Sequence, residues 1–260
     1  MTALRRLPRL LAVGVRTHVV YQSRSPLEIT FAAVLPVVQA TLAVYLFRAA
    51  GDPDRLIQAS VGAGLMGMWS SVLFGSGGAV QNQRWLGTLE PLVVAPAPLA
   101  AVLLPITLAT AVVGTYAMGA TLLWGVLLFG VPLHLAHPLA FVAAVPACVL
   151  ALGLTGMLLA ATFVLLRNAN ALANALDTPV WLLSGLLVPI TVLPGWTRPL
   201  SWALPPTWGA RAVQAATGGG AVWPPLLAAI GSGLLYLAAA VAALRYVERR
   251  ARAAATLALS

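Results

Sequence analysis

The sequence predicts an all-α integral membrane protein, and three observations carry that reading. Charge is scarce, at 8% of residues against 60% hydrophobic. Mean hydropathy reaches +0.93. The few charged residues stand at the edges of uncharged runs over 29–47, 56–83, 91–166, 178–197 and 212–244. A soluble domain carries charge on about a quarter of its residues, whereas a helix needs about 20 apolar residues to cross the hydrocarbon core.

The runs divide into six predicted transmembrane helices. The run 91–166 is too long for one crossing, and Gly130-Val131-Pro132-Leu133-His134-Leu135-Ala136-His137-Pro138 breaks it with turn-forming residues. The predicted spans are 28–48, 57–80, 99–129, 138–166, 178–194 and 223–246, each satisfying its backbone hydrogen bonds internally, as lipid demands. Asp177 before Thr178-Pro179 reads as the N-cap of the fifth span.

Orientation comes from arginine, because short basic loops stay cytoplasmic. Arg5, Arg6, Arg9, Arg16, Arg24, Arg84, Arg167, Arg245, Arg249, Arg250 and Arg252 fall on one side, and Arg48, Arg55, Arg198 and Arg211 on the other. Both termini are therefore expected to be cytoplasmic, in a multi-pass protein of the cell membrane. The net charge of +9 sits at membrane edges, where it faces anionic lipid. Nucleic acid is not an expected partner.

All 15 basic residues other than histidine are arginine. A P-loop requires a lysine, so no standard ATPase site can lie in this chain. Cys148 is the single cysteine, which excludes an intrachain disulfide and a cysteine metal cluster. Gly62-Ala63-Gly64-Leu65-Met66-Gly67 matches a dinucleotide fingerprint by letters alone, without the strand–turn–helix context that motif needs. Small residues there fit close helix packing, and Gly75, Gly77 and Gly78 extend the pattern. His134 and His137 are spaced for a metal, but Pro132 and Pro138 oppose a regular helix and no acidic residue completes a site. No metal or resident cofactor is expected. The six acidic residues are scattered, none of them clearly mid-membrane. That argues against an intramembrane enzyme and against an ion-coupled carrier, since carriers keep an ionisable group or a broken helix near the midplane. Asp52 and Asp54 read as a polar outer turn with Arg55, and Glu248 as one member of a solvated cluster.

Three segments stand apart. Residues 4–24 form an amphipathic pattern, with Arg5, Arg9 and Arg16 on one arc and Leu4, Leu7, Leu11 and Val15 opposite, as in a helix lying at the membrane interface. Pro8 is expected to confine the regular helix to the residues after it. The polar island Gln81-Asn82-Gln83-Arg84-Trp85-Leu86-Gly87-Thr88-Leu89-Glu90-Pro91 interrupts membrane-grade sequence. Residues 195–222 are too irregular to span and hold Trp196, Trp202 and Trp208, with tryptophan favouring the headgroup level.

Together these segments resemble the ABC-2 type permeases, the membrane subunits of ATP-binding cassette exporters, over nearly the whole length. The basic helix at 4–24 is similar to the family's interfacial elbow helix. Arg84-Trp85-Leu86-Gly87-Thr88-Leu89-Glu90, followed by Ala95-Pro96, resembles its coupling loop between the second and third spans. Leu182 to Pro189, then Leu193-Pro194-Gly195-Trp196 and Pro205-Pro206-Thr207-Trp208 with Arg211, resembles the fifth span and its re-entrant extracellular hairpin. Trp85-Leu86 departs from the further charged or polar residue often found there.

The resemblance implies one ABC-2 type domain over 1–260, with a coupling region at 84–98 and an extracellular gate at 195–222. Arg84, Gly87, Thr88, Leu89 and Glu90 would couple to the ATPase; Pro189, Pro194, Trp196, Trp202, Pro206, Trp208 and Arg211 would form the gate. It implies two copies of a separate ATP-binding cassette subunit holding ATP and Mg, a second permease copy or related permease, and contact with membrane lipid. The substrate expected from the apolar spans is a hydrophobic or amphipathic drug, natural product or lipid-like molecule. A polysaccharide or lipid-linked glycan exporter, a secondary carrier and a lipid-modifying membrane enzyme are the alternatives.

Overall fold

In the computed structural model the described residues are 2–49, 51, 56–87, 98–132, 135–165, 169–187 and 190–254. Among them every regular element is helical: α1 (Thr2–Ser23), α2 (Pro26–Ala49), α3 (Leu56–Trp85), α4 (Leu99–Phe129), α5 (Pro138–Leu165), α6 (Ala169–Leu183), a 3₁₀ turn (Gly195–Thr197), α7 (Arg198–Ala203), α8 (Pro205–Gly218) and α9 (Trp223–Ala254). Four of these, α3, α4, α5 and α9, are long and apolar enough to cross a membrane; α2 contributes a shorter apolar stretch, Ala33–Ala49.

Helix α3 is the centre of the bundle. Ala59, Val61, Leu65, Met68, Trp69, Val72 and Leu73 are all but inaccessible, and its glycines explain how neighbours come so close. A Cβ on Gly64 would lie 2.8 Å from the Met118 Cα of α4, and one on Gly67 would meet both Pro36 of α2 and Ala117 of α4. Gly75 abuts Thr110 and Gly77 abuts Phe163, whereas Gly78 has open space beside it. Lipid tails give helices no hydrophobic reason to associate, so small residues and the van der Waals contact they permit hold such a bundle together.

Contacts at the helix ends set the topology. Arg84 donates to the Val164 carbonyl and the Leu99 backbone N–H donates to Glu248 Oε1, so the end of α3, the start of α4, the end of α5 and the C-terminal part of α9 share one end, rich in arginine. At the other end Arg48 donates to the Phe129 carbonyl at 2.6 Å, and the backbone N–H groups of Ala136 and His137 donate to Thr217 and Ala216. Gly130, with φ 62°, caps α4 in the left-handed region.

Several expected boundaries move. Helix α1 runs through Pro8 from Thr2, where a later start is predicted; the proline is the seventh residue of the helix, so the helix continues past it at the cost of one i to i−4 hydrogen bond. It packs on α4 through Gly14 beside Pro105 and a 2.9 Å hydrogen bond between Ser23 Oγ and Tyr116 Oη. The fifth span, predicted over 178–194, begins instead at Ala169 and ends at Leu183. The alanines and leucines of 169–176 are strong helix formers, so the helix starts before Asp177, and Pro179 lies inside it. Gly185 ends it at φ 70°, with its N–H donating to Leu182 and the Leu186 N–H reaching back to Trp181, a Schellman turn that glycine enters without penalty.

The segment 195–222 is also more regular than predicted. Helices α7 and α8 make a hairpin against α5 and α9. Ala216 pairs with His137 at the N-terminal end of α5, whereas a Cβ on Gly209 would touch Cys148, and Pro138 to Cys148 is about 15 Å at 1.5 Å per residue. Tyr236, well inside α9, donates to the Ala203 carbonyl at 3.0 Å. The hairpin tip therefore lies about halfway down the neighbouring helices.

Candidate functional site

Three regions of the bundle hold the candidate side chains. The first is the arginine-rich end. Arg84, half-buried in the last turn of α3, puts its guanidinium on the final turn of α5, where a cation meets unpaired carbonyls and the negative end of the helix dipole. Glu248 does the converse: its carboxylate accepts from the first N–H of α4 and supplies the cap that Pro98 cannot. The sequence reading of Glu248 as a solvated cluster member is thus corrected; its carboxylate is committed to a helix end 149 positions away in the chain. The connection between α3 and α4 is consequently anchored on both sides, to α5 through Arg84 and to α9 through Glu248. Trp85 and Leu86, at its start, are 75% and 65% exposed, and Gly87 turns the chain at φ 64°, its N–H donating to the Arg84 carbonyl. Thr88, Leu89 and Glu90 lie outside the described residues.

On α1, Arg9 and Arg16 are exposed; the side chain of Arg5 is outside the description. Burial among apolar groups lowers the pKa of His18 on the same helix.

The second region is the hairpin. Trp208 Nε1 donates to the Trp202 carbonyl at 2.9 Å, and the Arg211 guanidinium stacks 5.2 Å from the centre of the Trp208 ring. Pro206 is buried in the first turn of α8. The structure thus brings Trp202, Trp208 and Arg211 together, while Pro194 and Trp196 stand exposed on the approach to α7. Pro189 lies outside the described residues. Gln214, which the sequence does not single out, ties the hairpin to the end of α6 by donating to the Gly185 and Leu186 carbonyls at 2.9 and 3.2 Å.

The third region has no counterpart in the sequence reading. Asp177 is not an N-cap. It lies within α6 and accepts a 2.9 Å hydrogen bond from Ser70 Oγ, halfway along α3. A Cβ on Gly62 would meet Leu186 and Leu187, so α6 runs antiparallel to α3 and Asp177 shares the middle level of the bundle. The expectation that no acidic residue reaches mid-membrane is overturned. A signal is present in the sequence as Asn170, Asn174, Asp177 and Thr178, which recur on one face at helical spacing; reading Asp177-Thr178-Pro179 as a helix start hides it.

Among the described residues no three ligating side chains gather to hold a metal. His134 is outside them, and His137 contributes a backbone contact with an exposed side chain. Cys148 is buried in packing against α8.

A bundle whose described elements are all helical, with four helices of membrane length and a connection clamped at one end, defines a multi-pass membrane protein. The family model described as ABC-2 type transporter matches residues 9–217, and the chain belongs to that family. It is accordingly a membrane permease subunit of an ABC transporter. No curated protein matches the chain.

Proposed function

We propose that the chain is the membrane half of an exporter that moves a hydrophobic or amphipathic molecule outward from the cytoplasm or the inner leaflet, driven by ATP hydrolysed on a separate subunit. Six crossings formed by α2, α3, α4, α5, the α6 region and α9 place both termini in the cytoplasm. Two ATP-binding subunits engage the α3–α4 connections of two permease copies, and α7–α8 gates the outer side. The observation that carries this is the connection itself. Its two flanking helices are tied to α5 and α9 by Arg84 and Glu248, so a push on residues 84–98 moves four helices together rather than bending one loop. Coupling of that kind requires a bistable, rigid element that a partner's two states contact differently.

The test is purification of the tagged chain from its native membrane in mild detergent, with mass spectrometry of stoichiometric partners. A co-purifying P-loop ATPase, weakened by Glu90→Ala, supports the proposal. Gradient-driven uptake by vesicles containing this chain alone, without nucleotide, would instead establish an ion-coupled carrier, a reading Asp177 makes chemically reasonable.

A further inference from the structure

The seam between α3 and α6 differs from the outer surfaces of α2, α5 and α9. Where α2, α5 and α9 meet their surroundings they present Leu42, Leu46, Leu139, Val142, Leu227 and Leu235, bulky and apolar, as lipid requires. The open face of α6 carries Ala171, Asn174, Ala175 and Thr178, with Leu182 at its end. Half-buried Ser70 faces α6 directly, and exposed Gly78 leaves open space further along α3. Small and polar groups at this depth would be costly against acyl chains, so the seam faces water or a solute.

Asp177 supplies the sign of that solute. The structure gives its carboxylate one hydroxyl donor, Ser70, and among the described residues no basic side chain pairs with it; Arg211, the arginine at comparable depth, is stacked on Trp208 instead. A half-buried mid-membrane carboxylate with no basic partner among the described residues is expensive and calls for a cation from elsewhere. Aromatic groups stand one turn to either side along the seam, Phe74 beyond Ser70 on α3 and Trp181 beyond Asp177 on α6, suited to the apolar body of an organic cation.

We infer that this seam is a recognition site for amphipathic organic cations, with Asp177 as the charge-selecting group and Ser70 as its positioning residue. The inference rests on the exporter reading for the direction of movement, but its test needs neither nucleotide nor ATPase, so the two fail separately. The full chain, purified in mild detergent, is dialysed against radiolabelled tetraphenylphosphonium, and displaceable binding is compared with that of tetraphenylborate, which has the same shape and the opposite charge. The wild type should bind the cation saturably and the anion at least about tenfold more weakly; Asp177→Asn should weaken cation binding about tenfold or more, and Asp177→Glu should retain most of it. As a second measurement on unaltered protein, labelling of Asp177 by a hydrophobic carbodiimide should be slowed by the cation and not by the anion. Absence of saturable cation binding, equal binding of the two ions, or an Asp177→Asn variant of wild-type affinity would overturn the inference.

Discussion

Replacing Gly67 by alanine adds one methyl group at the most crowded crossing in the bundle. The new Cβ would lie 2.5 Å from Ala117 Cβ and closer still to Pro36 Cγ, whereas carbon atoms rest about 3.5–4.0 Å apart. Each neighbour must retreat by about 1 Å, and neither can do so by changing rotamer, since one is a proline ring and the other a methyl group on backbone. The displacement therefore passes to α2 and α4. Overpacking costs about 1–3 kcal/mol, and rigid groups on both sides put this site near the top of that range. Alanine returns about 1 kcal/mol through helix propensity, leaving a net loss of about 2 kcal/mol. Gly78→Ala is the matched control on the same helix: nothing stands within 4 Å of its new Cβ, so only the propensity gain of about 1 kcal/mol remains. Unfolding of the purified chain by a denaturing detergent in mixed micelles, monitored by circular dichroism, should move in opposite directions for the two variants, separated by about 3 kcal/mol. Equal shifts, or a stabilised Gly67→Ala protein, would refute the packing argument.

Other expectations arise from particular contacts. Glu248→Ala leaves the N–H of fully buried Leu99 without its acceptor, a loss of about 1–3 kcal/mol; hydrogen exchange in the first turn of α4 should accelerate, with Glu248→Gln intermediate because it keeps an acceptor but not the charge. Gln214→Leu removes the donor serving Gly185 and Leu186, so proteolysis within 184–204 should quicken while α3 to α5 stay protected. His18 has a pKa lowered by burial. A base depressed in the folded state binds fewer protons there than when unfolded, so the stability it contributes is present above the ordinary value of about 6.5 and is lost as pH falls below it. Docking of α1 on α4, read by fluorescence of a probe at exposed position 17, should weaken below about pH 6.5 in the wild type and much less in His18→Gln.

What the sequence discloses is governed by hydropathy. Helices α3, α4, α5 and α9 are legible because each is a long apolar run whose ends are marked by charge, and Gly130 with Pro132 marks the turn between α4 and α5. The fifth span is displaced from its predicted position because Asp-Thr-Pro is a strong local start signal; tertiary packing on α3 and the alanine-rich stretch before it outweigh that signal. The long-range caps are illegible for a different reason. Nothing near Glu248 or Arg84 in the chain tells that their partners are Leu99 and Val164, because such pairings depend on which helix ends the topology gathers. The hairpin tryptophans are legible as a set, but the amide of Gln214 that ties the hairpin to α6 carries no distinguishing mark. Asp177 shows the same limit from the other side: a residue type whose role changes with a shift of a few positions in a helix boundary.

The central claim is that the connection between α3 and α4 is the contact for an ATP-hydrolysing partner. It is tested most directly by placing a photo-crosslinking amino acid at Trp85 or Leu86, the exposed residues at its start, and at Trp196 as a control on the opposite end, in the chain expressed in its native membrane. Crosslinking from positions 85 and 86 to a soluble P-loop ATPase, with none from 196, is the predicted result. Crosslinks from 85 and 86 only to lipid or to a second copy of this chain, with no ATPase captured, would contradict the account.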